Sequence, residues 1–290
     1  MYYNQDEAYQ DRREEDSTEL ASKMAQVKKK IYIYPFFNET PFGGNGPGQF
    51  VSEELTRMLR ESNKIVVPEF LRSGAVSKDF FVGDKVRLSA LVKEGKKLGL
   101  NLVVVGRVKR IIFRQKDDDI GLLRRKRNVA AVDLEMRMFD VIEQKEVFLS
   151  EKTTDSIRSS FHLFQTESDD PRAERTELVQ ESLRKGAQMF HDNILRALSK
   201  MAWEGRIAKI GVGKIFITAG RESGIHLGDI LRVTTSGEDI YDPLTGDYMG
   251  RSKGVSKGTL EVVDYIGTDG AVATIHSGGG FSENDIVQLY

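Results

Sequence analysis

Four histidines, His162, His191, His226 and His276, are the side chains best suited to bind a metal in a chain that has no cysteine. None has a histidine partner at i+2 or i+4 that could chelate an ion, so each is expected at the surface or in a hydrogen bond, and no metal site is expected. The lack of cysteine removes disulfides, thiolate metal sites and thiol nucleophiles together. Carboxylates cluster at Glu53-Glu54 and at Asp117-Asp118-Asp119, but nothing in the sequence places a second catalytic group beside them. Asp239, Asp242 and Asp247 are a faint loop-spaced calcium set, for which turn formation is the better account. Two glycine-rich stretches could in principle meet a phosphate. Gly211-Val212-Gly213-Lys214 has Ile215 where a phosphate loop needs Ser or Thr, and a strand pattern follows it, so no helix N-terminus is offered to an anion. Residues 42–48 (FGGNGPG) stand between a strand and a helix, but they lack lysine and the dinucleotide spacing, and Pro41 and Pro47 suit a plain loop. No catalytic constellation emerges. No cofactor is expected, and a binding or assembly module is favoured over an enzyme.

The most polarised segment runs from Lys116, Asp117, Asp118 and Asp119 to Arg124, Arg125, Lys126 and Arg127. It reads as a loop at a hairpin tip. Charge blocks of this kind are usually hydrated surface; the competing reading is an interaction tip, acidic on one arm and basic on the other, that pairs with the neighbouring copy in a ring. Nucleic acid is not an expected partner. No aromatic residues alternate with the cations to stack bases, and 43 Lys and Arg against 44 Asp and Glu give 43 − 44 = −1, without the cationic surplus that phosphates demand.

The elements that would position these groups fall into two patterns. Residues 1–29 mix charges of both signs with few aliphatics and read as a flexible tail without the apolar segment of a secretory signal. Residues 30–204 read as an α/β domain. A strand at 31–37 (IYIYPFF) runs through the 42–48 loop into a helix from Gln49, and a short strand follows at 64–70. Residues 71–87 read as a loop, with Leu88, Leu91, Val92, Gly95 and Leu98 at helical spacing after it. A strand from Leu102, an alternating strand around Val132–Met138 and its hairpin partner at 146–152 come next. Asp169-Asp170-Pro171 opens a long helix marked by Leu183, Ala187, Phe190, Ile194, Leu198 and Met201, with Gly205 as its natural stop. From 205 to 290 helical periodicity ends, and turn pairs punctuate short strands at 213–219, 229–235, 258–265, 271–276 and 285–289, the pattern of a small all-β barrel. The expected fold class is therefore α+β. At 290 residues, 39% hydrophobic and 30% charged, the chain is ample to bury such cores, and no apolar run reaches the roughly 18 residues of a spanning helix.

The opening strand with IYIYPFFNET, the helix GQFVSEELTRMLRES, KIVVPEF and the pair KKLGLNLVVVGRV resemble the α/β module shared by the CsgG-like curli-secretion lipoproteins and the N-terminal domain of TolB. The stretch GRIAKIGVGKIFITAGRESGIHLGDILRV, with DPLTGDYMG and a later GTLEV, resembles the C-terminal barrel of the flagellar assembly protein T family. The combination implies a TolB-N/CsgG-like α/β sandwich followed by a small β-barrel. It implies a non-enzymatic periplasmic protein, associated with the outer membrane, that assembles with itself and with other envelope or flagellar ring proteins of the basal body. The alternative implied is a CsgG-like secretion component or a lipoprotein activator of a cell-wall synthase. A periplasmic location would require a signal removed from the sequence as it stands. Membrane-barrel strands are not expected from the polar inserts near 72–87 and 116–127.

Overall fold

The computed structural model describes residues 27–68, 76–120, 123–160, 171–246 and 248–290, and they form a mixed α/β structure with two compact units. One unit comprises residues 31–62 and 67–199; the other comprises 63–66, 200–290 and the described part of 1–30. His162 and the helix-opening pair Asp169-Asp170 lie outside the described residues.

In the first unit, β1 (Lys29–Ile33) lies parallel to β6 (Leu102–Ile120) through Ile31, Tyr32 and Ile33, and β2 (Phe37–Asn38) lies parallel to the same strand further along. β7 (Leu123–Asp140) and β8 (Lys145–Ser160) continue the sheet as an antiparallel meander of strands 18 and 16 residues long. Side chains alternate between faces along β7. Leu134 meets α3 (Pro171–Leu198) at Gly186, where an added Cβ would come within 2.3 Å of the leucine Cδ1. Phe139 and Val141, on the other face, share a core with Leu91 of α2 (Leu88–Lys97), Tyr34 and Phe80. α1 (Gly46–Glu61) packs beside α3 and buries Val51, Leu55 and Leu59.

Several boundaries differ from the sequence reading, each for a local reason. α1 starts at Gly46, not Gln49, because proline is tolerated in a first helical turn and Pro47 sits there. The strand read at 64–70 is reduced to β3 (Ile65–Val66), and residues 69–70 lie outside the described ones. The described end of the 71–87 loop holds a 3₁₀ turn (Ser77–Phe80) and a tight antiparallel pair, β4 (Phe81–Val82) and β5 (Lys85–Val86). α3 ends at Leu198, so Met201 lies beyond it and Gly205 opens a strand instead of capping the helix. The expectation of a loop over 116–127 is corrected outright. Lys116–Ile120 belongs to β6 and Leu123–Arg127 to β7.

In the second unit six antiparallel strands close a barrel in the order β10-β15-β14-β11-β16-β9. They are β9 (Gly205–Ile210), β10 (Ile215–Ile217), β11 (Ile230–Thr234), β14 (Ser256–Ile266), β15 (Gly270–Gly278) and β16 (Ile286–Leu289); β9 was not read from the sequence. Closure leaves no sheet edge unpaired, and the interior is filled by Ile207, Ile217, Leu231, Leu260 and their neighbours, with Trp203 and Val27 packed in the same cluster. Asp269 accepts hydrogen bonds from the backbone N–H groups of Gly220 and Ser223, both at 2.9 Å, and an ion pair from Lys30 Nζ at 2.9 Å. Between β11 and β14 the chain leaves the barrel as an unexpected separate arm, β12 (Asp239–Tyr241) paired with β13 (Tyr248–Arg251).

Candidate functional site

Antiparallel register builds the polarised segment. Asp117 lies opposite Lys126, Asp118 opposite Arg125, Asp119 opposite Arg124, and Lys116 opposite Arg127. The charge block that read as a loop is thus carried on two paired strands. Among the described residues no strand pairs with β6 on its other side beyond Val108, and none pairs with the outer side of β8. Among the described residues the meander therefore carries two long open edges.

Nearer the middle of the sheet the structure assembles a charged cluster that pattern reading missed. Arg107 of β6 donates to Glu135 of β7 through Nε at 2.9 Å and Nη2 at 2.7 Å, to Glu39 at 3.0 Å and to Asp84 at 2.7 Å. Arg137 Nε donates to the second oxygen of Glu135 at 2.8 Å, and Phe81 covers the Arg107 guanidinium at 5.1 Å. Burial alone would push the Glu135 carboxyl up, but hydrogen bonds from Arg137 and Arg107 outweigh it and hold it below the usual carboxylate range. Burial likewise opposes the charge on Arg107, and the bonds it donates to Glu135 and Asp84 more than offset that. The alternation of Val132, Leu134, Met136 and Met138 with charged residues suggested that Glu135 faced water. An arginine inside the apolar run LVVVGRV was the available signal that a buried counter-ion was needed. The cluster suits a structural clamp, since each carboxylate in it meets a cation.

A cavity of about 580 Å³ opens between α1 and the first turns of α3, walled by Phe42, Phe50, Val179 and Leu183 and rimmed by Arg172, Arg175 and Glu53. Phe42 packs on Phe113 of β6 at 5.3 Å between ring centroids, with Arg175 over the same ring at 5.4 Å and Arg184 over Phe50 at 5.6 Å. The walls come from the 42–48 segment, but its amides do not form an anion cradle. Asn38 Nδ2 ties the loop shut through the carbonyls of Phe42 and Gly44 at 2.7 and 2.6 Å, and the N–H groups of Gly46 and Gln49 donate to the carbonyls of Gly43 and Asn45.

The remaining candidates are not brought together. Gly211–Lys214 is the turn between β9 and β10. His191 contacts the carboxylate of its neighbour Asp192 at 3.0 Å, and His226 lies 3.9 Å from Asp229. Glu54 pairs with Arg57 at 2.7 Å, and Glu53 accepts from Gln49 at 2.8 Å. Asp242 accepts the N–H groups of Leu244 and Thr245 at 2.7 and 3.0 Å, the work of a turn. Among the described residues no group of three or more metal-ligand side chains converges, and no helix is long and apolar enough to cross a membrane.

No family model matches the sequence. No curated protein matches it either. Among solved structures the chain is similar to a hypothetical protein of Chlamydia trachomatis, at 16% identity over 60% of this chain and 97% of that one, with a TM-score of 0.35. It is similar to a minor lipoprotein of Acinetobacter baumannii at 14% identity over 58% and 91%, with a TM-score of 0.31. A third is PelC of Paraburkholderia phytofirmans, titled as a dodecamer, at 12% identity over 55% and 88% and a TM-score of 0.28. At these scores the likeness assigns neither a fold family nor a function.

Proposed function

We propose that the chain is a non-enzymatic assembly component of the cell envelope that works as an oligomer of identical copies. The observation that supports this is the β6–β7–β8 meander, with an open edge on each side among the described residues and a charge-rich end. Unpaired strand edges are templates for further strands, and two different edges on one molecule allow a head-to-tail contact that closes a ring when the rotation permits. The charged end, Asp117 to Asp119 on one arm and Arg124, Arg125, Lys126 and Arg127 on the other, steers copies into register by speeding encounter and excluding wrong geometries.

Which machine such an oligomer serves rests on the sequence motifs alone. They offer a ring of the flagellar basal body, with periplasmic, outer-membrane-associated flagellar partners and a TolB-N/CsgG-like sandwich as the assembling domain. They also offer a CsgG-like secretion component or a lipoprotein activator of a cell-wall synthase. The second commits to fewer partners and is the working reading.

Light scattering of the purified protein across concentration and salt, with electron micrographs of the same samples, tests the self-assembly. The expected result is a mass above one chain that falls as salt rises, because exposed charges are screened over about 10 Å at 0.1 M. Replacing Arg124, Arg125, Lys126 and Arg127 together by Glu should lower the mass further, whereas one replacement should barely register. A wild-type mass of one chain at every concentration would overturn the proposal.

A further inference from the structure

The β12–β13 arm is built to present apolar side chains to something other than its own barrel. A lone two-stranded hairpin is marginal in water, yet this one has a fixed tip. Asp242 holds the turn through Leu244 and Thr245, its carbonyl accepts the N–H of Gly246 at 2.8 Å, and Gly246 takes a left-handed φ of +73° that favours glycine. The side chain carried by that tip is Leu244, 94% exposed, and behind it Met249, Tyr241 and Ile240 are 67%, 55% and 46% exposed. Met249 stands where the β12–β13 register shifts, as the extra residue of a bulge. Several large apolar side chains together on one projecting arm mark an interaction surface. The arm also carries three carboxylates: Glu238 and Asp239 at its base, which are exposed, and Asp242 at its tip, which is partly buried.

The cavity between α1 and α3 has complementary chemistry. Its walls are apolar, its volume of about 580 Å³ lies within the range of clefts that enclose a sizeable ligand, and Arg172 and Arg175 outnumber Glu53 on its rim. The first turns of two helices border it; α3 carries Glu174 in its own first turn, whereas α1 has no acidic residue there, so the α1 dipole favours negative charge.

We propose that the cavity is the socket for the β12–β13 arm of a second copy of this chain, with Leu244 and Tyr241 seated between Phe42, Phe50 and Val179 and the arm's carboxylates beside Arg172 and Arg175. The inference rests on the self-assembly reading and gives it a second, heterologous contact: arm and socket are different patches, so each copy offers one of each.

Two variants at exposed positions separate the halves. Leu244→Asp spoils the arm and keeps the socket; Thr176→Trp, on the exposed side of α3, fills the socket and keeps the arm. Far-UV circular dichroism and thermal unfolding should match the wild type for both. Light scattering should show each variant associating roughly 10- to 100-fold more weakly, the equivalent of removing one leucine side chain from a buried contact. An equimolar mixture should associate more tightly than either variant alone, because one intact arm then meets one intact socket. Variants that assemble as the wild type does would overturn the arm and socket while leaving self-assembly standing, as would a mixture that associates no better than either variant alone. A wild type that is monomeric at every concentration would overturn both readings.

Discussion

The guanidinium of Arg107 lies against the carboxylate of Glu135 with two donated hydrogen bonds of 2.9 and 2.7 Å, and the two side chains are 5% and 1% exposed. A buried ion pair of this kind adds little over a well-packed apolar pair, but removing one partner strands the other charge and costs about 3–5 kcal/mol. Arg107→Met should therefore lower unfolding stability in urea by about 3 kcal/mol, somewhat eased because Arg137 still serves Glu135. The double variant Arg107→Met, Glu135→Leu should recover most of that loss. The pH dependence has a definite sign. The Glu135 carboxyl is held low in the folded chain, so its contribution is present above the ordinary glutamate value of about 4.3 and is lost as pH falls through the folded value. Stability of the wild type should drop below about pH 4 more steeply than that of the double variant.

Tyr34 is fully buried, and its hydroxyl has no hydrogen-bond partner among the described residues. Burial pushes its pKa upward, with Glu94 and Tyr32 adding to the shift. A buried polar group without a partner costs about 1–3 kcal/mol. Tyr34→Phe keeps the ring contacts with Tyr32 and Phe80, at 4.8 and 4.7 Å between centroids, and removes only the hydroxyl. Its thermal midpoint should rise, by an amount equivalent to about 1 kcal/mol. A lower midpoint would mean that the hydroxyl is bonded in solution.

Gly48 lies in the first turn of α1, where an added Cβ would sit 1.9 Å from the carbonyl oxygen of Phe36. Backbone cannot rotate aside as a side-chain end can, so Gly48→Ala must push the helix off the segment between β1 and β2. Overpacking of this severity costs about 2 kcal/mol or more. Gly46→Ala, two residues earlier and with open space around the added atom, is the control and should unfold at nearly the wild-type denaturant concentration.

The sequence by itself determined the elements whose signals are local. The three-and-four spacing of Leu183, Ala187, Phe190, Ile194 and Leu198 describes one face of a helix in any context, and all five are buried. The alternation of Val132, Leu134, Met136 and Met138 described a strand for the same reason, and the turn pairs after residue 205 separated strands that close into a barrel. Tertiary structure decided what depends on partners distant in the chain. Glu135 reads as a solvent-facing residue until Arg107, 28 positions away, is laid beside it. Asp117 to Asp119 read as loop because a charge block has no strand pattern of its own; only the register with Arg124 to Lys126 places them in a ladder. Leu244 reads as one residue of a turn, and its near-complete exposure follows from the arm leaving the barrel. The cavity between α1 and α3 has no linear signature, because its walls come from segments more than 100 residues apart that meet only when both helices pack on the same face of the sheet.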